Sequence, residues 1–446
     1  MTKFLALLLL PIFLLGQTNY SDKIDQYMKA QADLYNFSGT VLVKKNNKII
    51  YLKAFGQADQ EWLVDNTTDT KYRVCSITKQ FTAAAILILE QRGKLSVNDK
   101  LNKYFKDFPK GDKVTIHMLL SHKSGIADYS DQPEYIPMYS VPNENKKLIA
   151  LMTKNKYDFE PGTDFKYSNS NYFLLACIIE QVSKQTYSAF LDENIFSKAN
   201  MLNSLVDNSD TVVSRRAVGY GFWDNHYVHE YYAYMPNALG CGNILSTVED
   251  LNKWDNALLG TNILNESSKT KMYTPYSKKE LYGYGYCILS LQNKTCIQHS
   301  GGDGGFRNSI VRIPSDSSCV VVISNNMSSS PIISFALAGI IIDAPISIPK
   351  KHIQNLIDTS ILKKYVGNYQ ENYMGITYNS KIIQKSGKLF EYVNGADDVE
   401  LKPETEKVFF TSSLADRQLI FDTDSKGNVT RVWRNIAGLQ VDLIKK

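Results

Sequence analysis

The sequence predicts an α/β body with an all-helical lobe, followed by a small antiparallel β-barrel. Three observations predict it. Strand signals open the chain and return after residue 284. The stretch between, from about 76 to 260, reads mostly helical with long polar loops. Beyond residue 353, short strand-like runs recur with turn residues between them. Hydrophobic residues make up 43% of the 446 and charged residues 21%, which excludes a disordered or collagen-like chain.

The elements follow in order. Lys3 precedes an apolar run, Phe4–Leu15, then Gly16 and Gln17. This is the order of a secretory signal, so residues 1–17 are set aside and export to the periplasm or medium is expected. No Cys follows the run, and no later segment approaches about 18 apolar residues, so no stable membrane anchor is expected. Ser21–Tyr35 places Ile24, Tyr27, Met28 and Leu34 on one helical face. Gly39–Lys45 and Lys48–Phe55 read as strands joined at Asn46-Asn47. Further strands are expected at Tyr284–Ser290, Thr295–His299, Phe306–Ile313 and Cys319–Ser324, with a helix over 331–342. The body is assigned to residues 18–345 and a Pro-containing linker to 346–353. The barrel takes 354–446, with strands from Ile376–Gln384 through Val408–Ser412 to Leu439–Ile444. Asn394-Gly395, Pro403 and Lys426-Gly427 mark turns there.

The net charge of +5 is spread without basic runs, so nucleic acid is not an expected partner. Six cysteines allow 15 pairings, and Cys287 and Cys296 flank a turn across which they could meet. His226 and His229 form an H-x-x-H, which lacks the spacing and the Glu of a zinc helix.

The chemistry sits in three short motifs. The first is Ser76-Ile77-Thr78-Lys79, an S-x-x-K. Ser268–Lys271, Ser347–Lys350 and Ser360–Lys363 match the same pattern, but only Ser76 opens a strong helical run. Side chains at i and i+3 on a helix are neighbours. The helix N-terminus offers free N–H groups to a developing oxyanion, and burial would make Lys79 a better proton acceptor. The second is Tyr167-Ser168-Asn169. Tyr167 can relay a proton if cations such as Lys79 lower its pKa. Asn169 can accept from Lys79 and donate to a substrate carbonyl. The third is His299-Ser300-Gly301-Gly302, at the end of a strand whose small residues let a substrate backbone lie alongside. The N–H groups of Gly302 and Ser76 would form an oxyanion hole.

Together and in this order, the motifs resemble the active-site set of serine β-lactamases and penicillin-binding proteins. The segments Val114–Ile126 and Asn243–Leu251 look like the family's intervening text. The resemblance covers roughly residues 20–345, in the branch of class C β-lactamases, D-Ala-D-Ala carboxypeptidases and related esterases and D-aminopeptidases. It implies an antiparallel sheet flanked by helices plus a helical lobe. The tail resembles the lipocalin-like barrels appended to some members. The family likeness also implies an acyl-enzyme with Ser76, Lys79 and Tyr167 as catalytic residues. Asn169, His299, Gly301 and Gly302 would hold the substrate and oxyanion. The substrate is then a small molecule or peptide: a D-alanyl peptide, a β-lactam or a small ester or amide. No cofactor and no metal are implied. His299 stands where class C enzymes carry Lys, a weaker and conditional charge for a substrate carboxylate. A protein that acylates without turnover would show the same motifs. A ligand-binding barrel with a relic hydrolase would not be expected to keep all three.

Overall fold

Asn46 and Asn47, at φ 49° and 61°, turn β1 (Gly39–Lys45) into β2 (Lys48–Phe55). Asparagine tolerates this left-handed backbone, which a two-residue hairpin needs to match strand twist. The chain returns to the same sheet as β3 (Cys287–Leu291), β4 (Lys294–Asp303), β5 (Phe306–Ile313) and β6 (Ser318–Ser324). The order is β3-β4-β5-β6-β1-β2, all antiparallel. The computed structural model describes residues 19–154, 156–223, 226–394, 398–411 and 416–446. The signal-like segment, Gly395 and Ser412 lie outside the described residues.

Both faces of the sheet are covered, so β1 and β6 read as unbroken apolar runs. Val41, Val43, Val320 and Val322 meet α1 (Tyr20–Tyr35) and the late helix Ser330–Ile341. Leu42, Val321 and Ile323 join a larger core with α2 (Thr78–Gln91) and α3 (Asn169–Ser183). Every residue of α2 from Thr78 to Leu89 is buried. Ala83, Ala84 and Ala85 keep it slim enough for close helix packing. Phe81 anchors it against Phe196 and Trp254. Emptying such a site costs about 3–5 kcal/mol.

The lobe is less purely helical than its sequence suggests. Tyr220–Trp223 pairs with His226–His229, and Tyr72–Arg73, Leu205–Val206 and Ile244–Ser246 form a small sheet. Strands of two to four residues show no readable alternation. The strand expected from Tyr284 starts only at Cys287. Gly285 has φ 72°, and a Cβ there would sit 2.8 Å from the Lys79 carbonyl oxygen. The chain bends there to pass α2. The β3–β4 register sets Cys287 opposite Gln298 and Cys296 opposite Leu289, so those two thiols do not meet. The two-residue turn Gln292-Asn293 fixes that offset, and all six cysteines are free.

Eight antiparallel strands close the C-terminal barrel, from Gly367–Tyr373 to Leu439–Lys445, and these two pair to seal it. The first strand is polar apart from its tyrosines, so its sequence carries no strand signal; only Tyr369 and Glu371 are buried. Inside, Arg434 grips Glu391 with two hydrogen bonds, 2.6 and 3.0 Å, and Glu371 with a third at 2.9 Å. The barrel sits on the body. Tyr27 Oη donates to the Ala437 carbonyl (2.8 Å), and Ser290 N–H donates to that of Met374 (3.0 Å).

His352 joins the approach segment to the barrel. Its Nδ1 lies 3.0 Å from Glu404 Oε2 and its Nε2 2.7 Å from Asp416 Oδ1. Burial disfavours its charge, but the Asp416 and Glu404 carboxylates outweigh burial and hold the pKa above 6.5. A raised pKa contributes stability that is fully present below the unfolded value and lost as pH rises through the folded one. Melting temperature is therefore expected to fall between pH 6 and 9 more steeply for wild type than for His352→Gln. Parallel slopes in thermal melts would refute this.

Candidate active site

Ser76 owes its position to a turn that precedes α2. Val74 N–H bonds the Ile244 carbonyl (2.9 Å), and Cys75 then takes φ 50°. This left-handed step is unusual for a residue with a Cβ, and it swings Ser76 into a 3₁₀ turn that feeds α2. Ser76 thus stands at a helix N-terminus, where N–H groups lack intrahelical partners. The neighbouring Cys75 thiol is pushed far up by burial, so it is inert.

Lys79 follows three residues later and is fully buried. Its Nζ donates to Ser76 Oγ (3.0 Å), Asn169 Oδ1 (2.8 Å) and the Cys241 carbonyl (2.9 Å). Burial lowers its pKa to about 8, against the pull of nearby groups including Asp128. The competing motifs lack this contact. Lys271 pairs with Glu90 (2.9 Å) and Lys350 with Glu404 (2.9 Å).

Asn169 begins α3 and is held on two sides. Its backbone N–H bonds Asp128 Oδ2 (2.7 Å), and its Nδ2 donates to Asp128 Oδ2 (2.9 Å) and Ser130 Oγ (3.2 Å). Its carbonyl accepts from Lys79. The amide hydrogens expected to meet a substrate carbonyl are already taken. The Asn169 side chain thus acts on the position of Lys79.

Tyr167 departs from the expectation of a lowered pKa. Its pKa is raised well above 10, because burial outweighs the opposing pull of Ser76. Lys79 Nζ lies over the ring, 4.7 Å from its centre, where it favours the π face. The hydroxyl is buried with no completed hydrogen bond. His122 packs on the ring, centroids 4.4 Å apart and planes tilted by 35°, and is itself neutral, its pKa driven well below 6.5 by burial and then by Lys79 and His299. Its Nδ1 accepts from Ser168 N–H (3.2 Å).

On the facing wall, His299 is buried and its pKa falls to about 3, through burial first and Lys79 second. Its Nδ1 donates to the Ser300 carbonyl (2.6 Å), which leaves Nε2 to accept from Tyr282 Oη (2.9 Å). It carries no charge near neutral pH, so it is not the conditional carboxylate anchor expected from the sequence. Gly301 is a steric necessity. A Cβ there would lie 2.3 Å from the Val74 carbonyl oxygen and 2.9 Å from Ser76 N. Gly302 faces the Arg307 side chain, with a notional Cβ 2.2 Å from its Nη1. β3 pairs with β4 only as far as Gln298, so His299–Gly302 have a strand neighbour on the β5 side alone.

These walls enclose a cleft of about 380 Å³ that Ser76, Tyr167, His299, Gly302 and Arg307 share. The geometry brings all seven expected residues to this one region. It adds Asp128, His122, the Cys241 carbonyl, Tyr282 and Arg307, which no motif singled out. His226 and His229 sit elsewhere, on the lobe hairpin, and His229 faces Glu61 at 3.1 Å.

Known proteins are similar to this chain in sequence and fold. Penicillin-binding protein 4* of Bacillus subtilis is 28% identical over 414 residues, covering 85% of this chain and 89% of its own. A crystal structure of a penicillin binding protein from Bacillus halodurans superposes with TM-score 0.65 at 28% identity. It covers 70% of this chain and 98% of its own. The octameric penicillin-binding protein homologue from Pyrococcus abyssi shares the fold over 94% of this chain and 99% of its own, at TM-score 0.69 and 24% identity. The family model described as Beta-lactamase matches residues 23–334, most of the chain. With that span and those relatives, the chain belongs to the Beta-lactamase family of serine hydrolases.

Proposed function

We propose that the protein is an exported acyl-serine hydrolase whose substrates are D-alanyl peptides or β-lactams. The observation that carries this reading is Lys79, buried, lowered to about 8 and hydrogen-bonded to Ser76 Oγ. When Lys79 is neutral, Asn169 Oδ1 and the Cys241 carbonyl hold its two N–H groups. Its lone pair then faces the Ser76 hydroxyl. Ser76 Oγ attacks the carbonyl carbon and its proton moves to Nζ. The carbonyl electron pair moves to oxygen, where the N–H groups of Ser76 and Gly302 receive it. Collapse expels the leaving nitrogen or oxygen, which takes the proton from Nζ directly or across the Tyr167 hydroxyl. Water then attacks the acyl ester by the same route. The free edge His299–Gly302 suits the backbone of a peptide substrate, and relatives named as penicillin-binding proteins support a β-lactam donor. Export rests on the signal-like N-terminus, Lys3 followed by the apolar run Phe4–Leu15.

The charge for a substrate carboxylate falls to Arg307 at the Gly302 end of the cleft. Arg307→Ala is expected to raise KM about tenfold for carboxylate-bearing donors, the loss of one charge-assisted hydrogen bond, and to spare their amide-capped analogues. Equal changes on both would remove Arg307 from recognition.

One observation favours a second reading, acylation with slow release. The Tyr167 phenol is held protonated, so it cannot activate the deacylating water as a base. Incubation with a fluorescent penicillin and a D-alanyl-D-alanine peptide, followed by intact mass, separates the readings. Release of many equivalents of D-alanine per protein, with an adduct that decays, supports the hydrolase, and a lasting adduct with at most one equivalent of D-alanine supports the second reading. Neither adduct nor release would overturn both.

A further inference from the structure

The cleft is not built by the body alone. β4 runs along it from Gln298 to Gly302, five residues, whose four steps span about 13 Å at roughly 3.3 Å each. Arg307 bounds the Gly302 end, on the neighbouring strand. Cys287 and Leu289 of β3 bound the Gln298 end, with Glu280 beside them. The remaining wall at that end is Ile376, which belongs to the barrel.

Ile376 is held there firmly. It closes the hairpin between the first two barrel strands, opposite Tyr373. Met374 in the turn is buried in the core beneath the sheet, and its carbonyl accepts from Ser290 N–H at 3.0 Å. Gly375 takes φ 88°, and a Cβ there would lie 3.4 Å from Leu281. The turn therefore rests on the residues that lead into β3. Tyr378, two residues beyond Ile376, has its hydroxyl pKa raised by burial first and then by Glu280, Glu371 and Cys287.

This inference rests on the reading of the cleft as an acyl-transfer site. We propose that the barrel completes the active site: the Tyr373–Ile376 hairpin closes the Gln298 end of the cleft, and Ile376 limits the length of the substrate group lying there. Short groups fit between Gly302 and Ile376, and longer ones meet its side chain.

Cys287 supplies a readout that needs no turnover. It is half-buried at the wall, while the other five thiols are buried. Its thiolate displaces methanesulfinate from a methanethiosulfonate to give a mixed disulfide. Burial pushes its pKa to about 12, so rates are compared at one alkaline pH, with Cys287→Ser identifying the site. Wild type is expected to react at least tenfold faster with the methyl reagent than with the benzyl one. Ile376→Ala should remove most of that ratio, and Ile376→Trp should widen it. The two variants move in opposite directions, so simple loosening of the barrel cannot mimic both. An unchanged ratio in both variants overturns the wall.

Turnover of nitrophenyl esters, lengthened on the acyl or the alcohol side, then tests specificity. Ile376→Ala should raise kcat/KM about tenfold for the longest member of one series and leave the shortest within twofold. A shifted labelling ratio with unchanged ester profiles overturns the specificity claim. If wild type neither turns over an ester nor releases a single equivalent of nitrophenol, the acyl-transfer reading falls, while the labelling ratio still decides whether the barrel closes the cleft.

Discussion

Ser76→Ala is expected to abolish covalent labelling by β-lactams and to lower turnover by roughly 10⁶-fold, the scale on which removal of an activated serine acts. Ser268→Ala and Ser360→Ala should leave both intact. The difference lies in what each lysine does. Lys79 donates to its own serine at 3.0 Å, whereas Lys271 is drawn to Glu90. Ser268 is the third residue of the helix Glu266–Tyr273, where its N–H already donates to Asn265 Oδ1 (2.9 Å), and it does not line the cleft. Intact-protein mass after incubation with a penicillin checks all three variants, with thermal melts confirming that each is folded. An adduct surviving in Ser76→Ala would remove the nucleophile from the proposal.

Lys79→Met should reduce acylation by about 10²–10⁴-fold while Ser76 remains in place. Methionine fills the buried channel without an amine, so the proton of Ser76 has no acceptor within reach. The pH dependence gives the sharper test. A base must be neutral to work, and the folded pKa of Lys79 is about 8. Wild-type kcat/KM should therefore climb roughly tenfold per pH unit below that value and level off above it. His299 stays neutral across this range, its pKa being near 3, and so adds no second limb. In Lys79→Met the limb near pH 8 should vanish. A limb that persists unchanged would show that another group accepts the proton. Stopped-flow acylation from pH 5.5 to 9.5, at constant salt, measures it.

The hairpin turn and the spacing of the first motif are legible in the amino-acid order itself. Asn46-Asn47 suits the left-handed backbone that a two-residue hairpin needs, and the S-x-x-K spacing on a helix makes Ser76 and Lys79 neighbours. The apolar runs of the sheet and its return after the lobe are readable because strands buried on both faces carry few polar positions. The first barrel strand escapes, because its seven residues present two tyrosines among polar side chains. So do the short lobe strands, too short for a readable alternation, and Tyr72–Arg73, Leu205–Val206 and Ile244–Ser246 are held by partners far along the chain.

What the sequence determines alone is local: which residues share a helical turn, where the backbone must reverse, and where small residues line a strand. Tertiary structure decides the charge states and the distant partners. Beside a cation Tyr167 is expected to lose its proton readily, yet burial keeps it a phenol. His299 is expected to carry a conditional charge, yet burial and Lys79 keep it neutral. Asp128, 41 residues from Asn169, turns the amide expected to face substrate, and Ile376 reaches the cleft from the barrel. The reason is physical. Spacing along the chain sets contacts within a turn or two, but a pKa depends on how much water is excluded and which charges remain near. Only the packed fold brings those groups together.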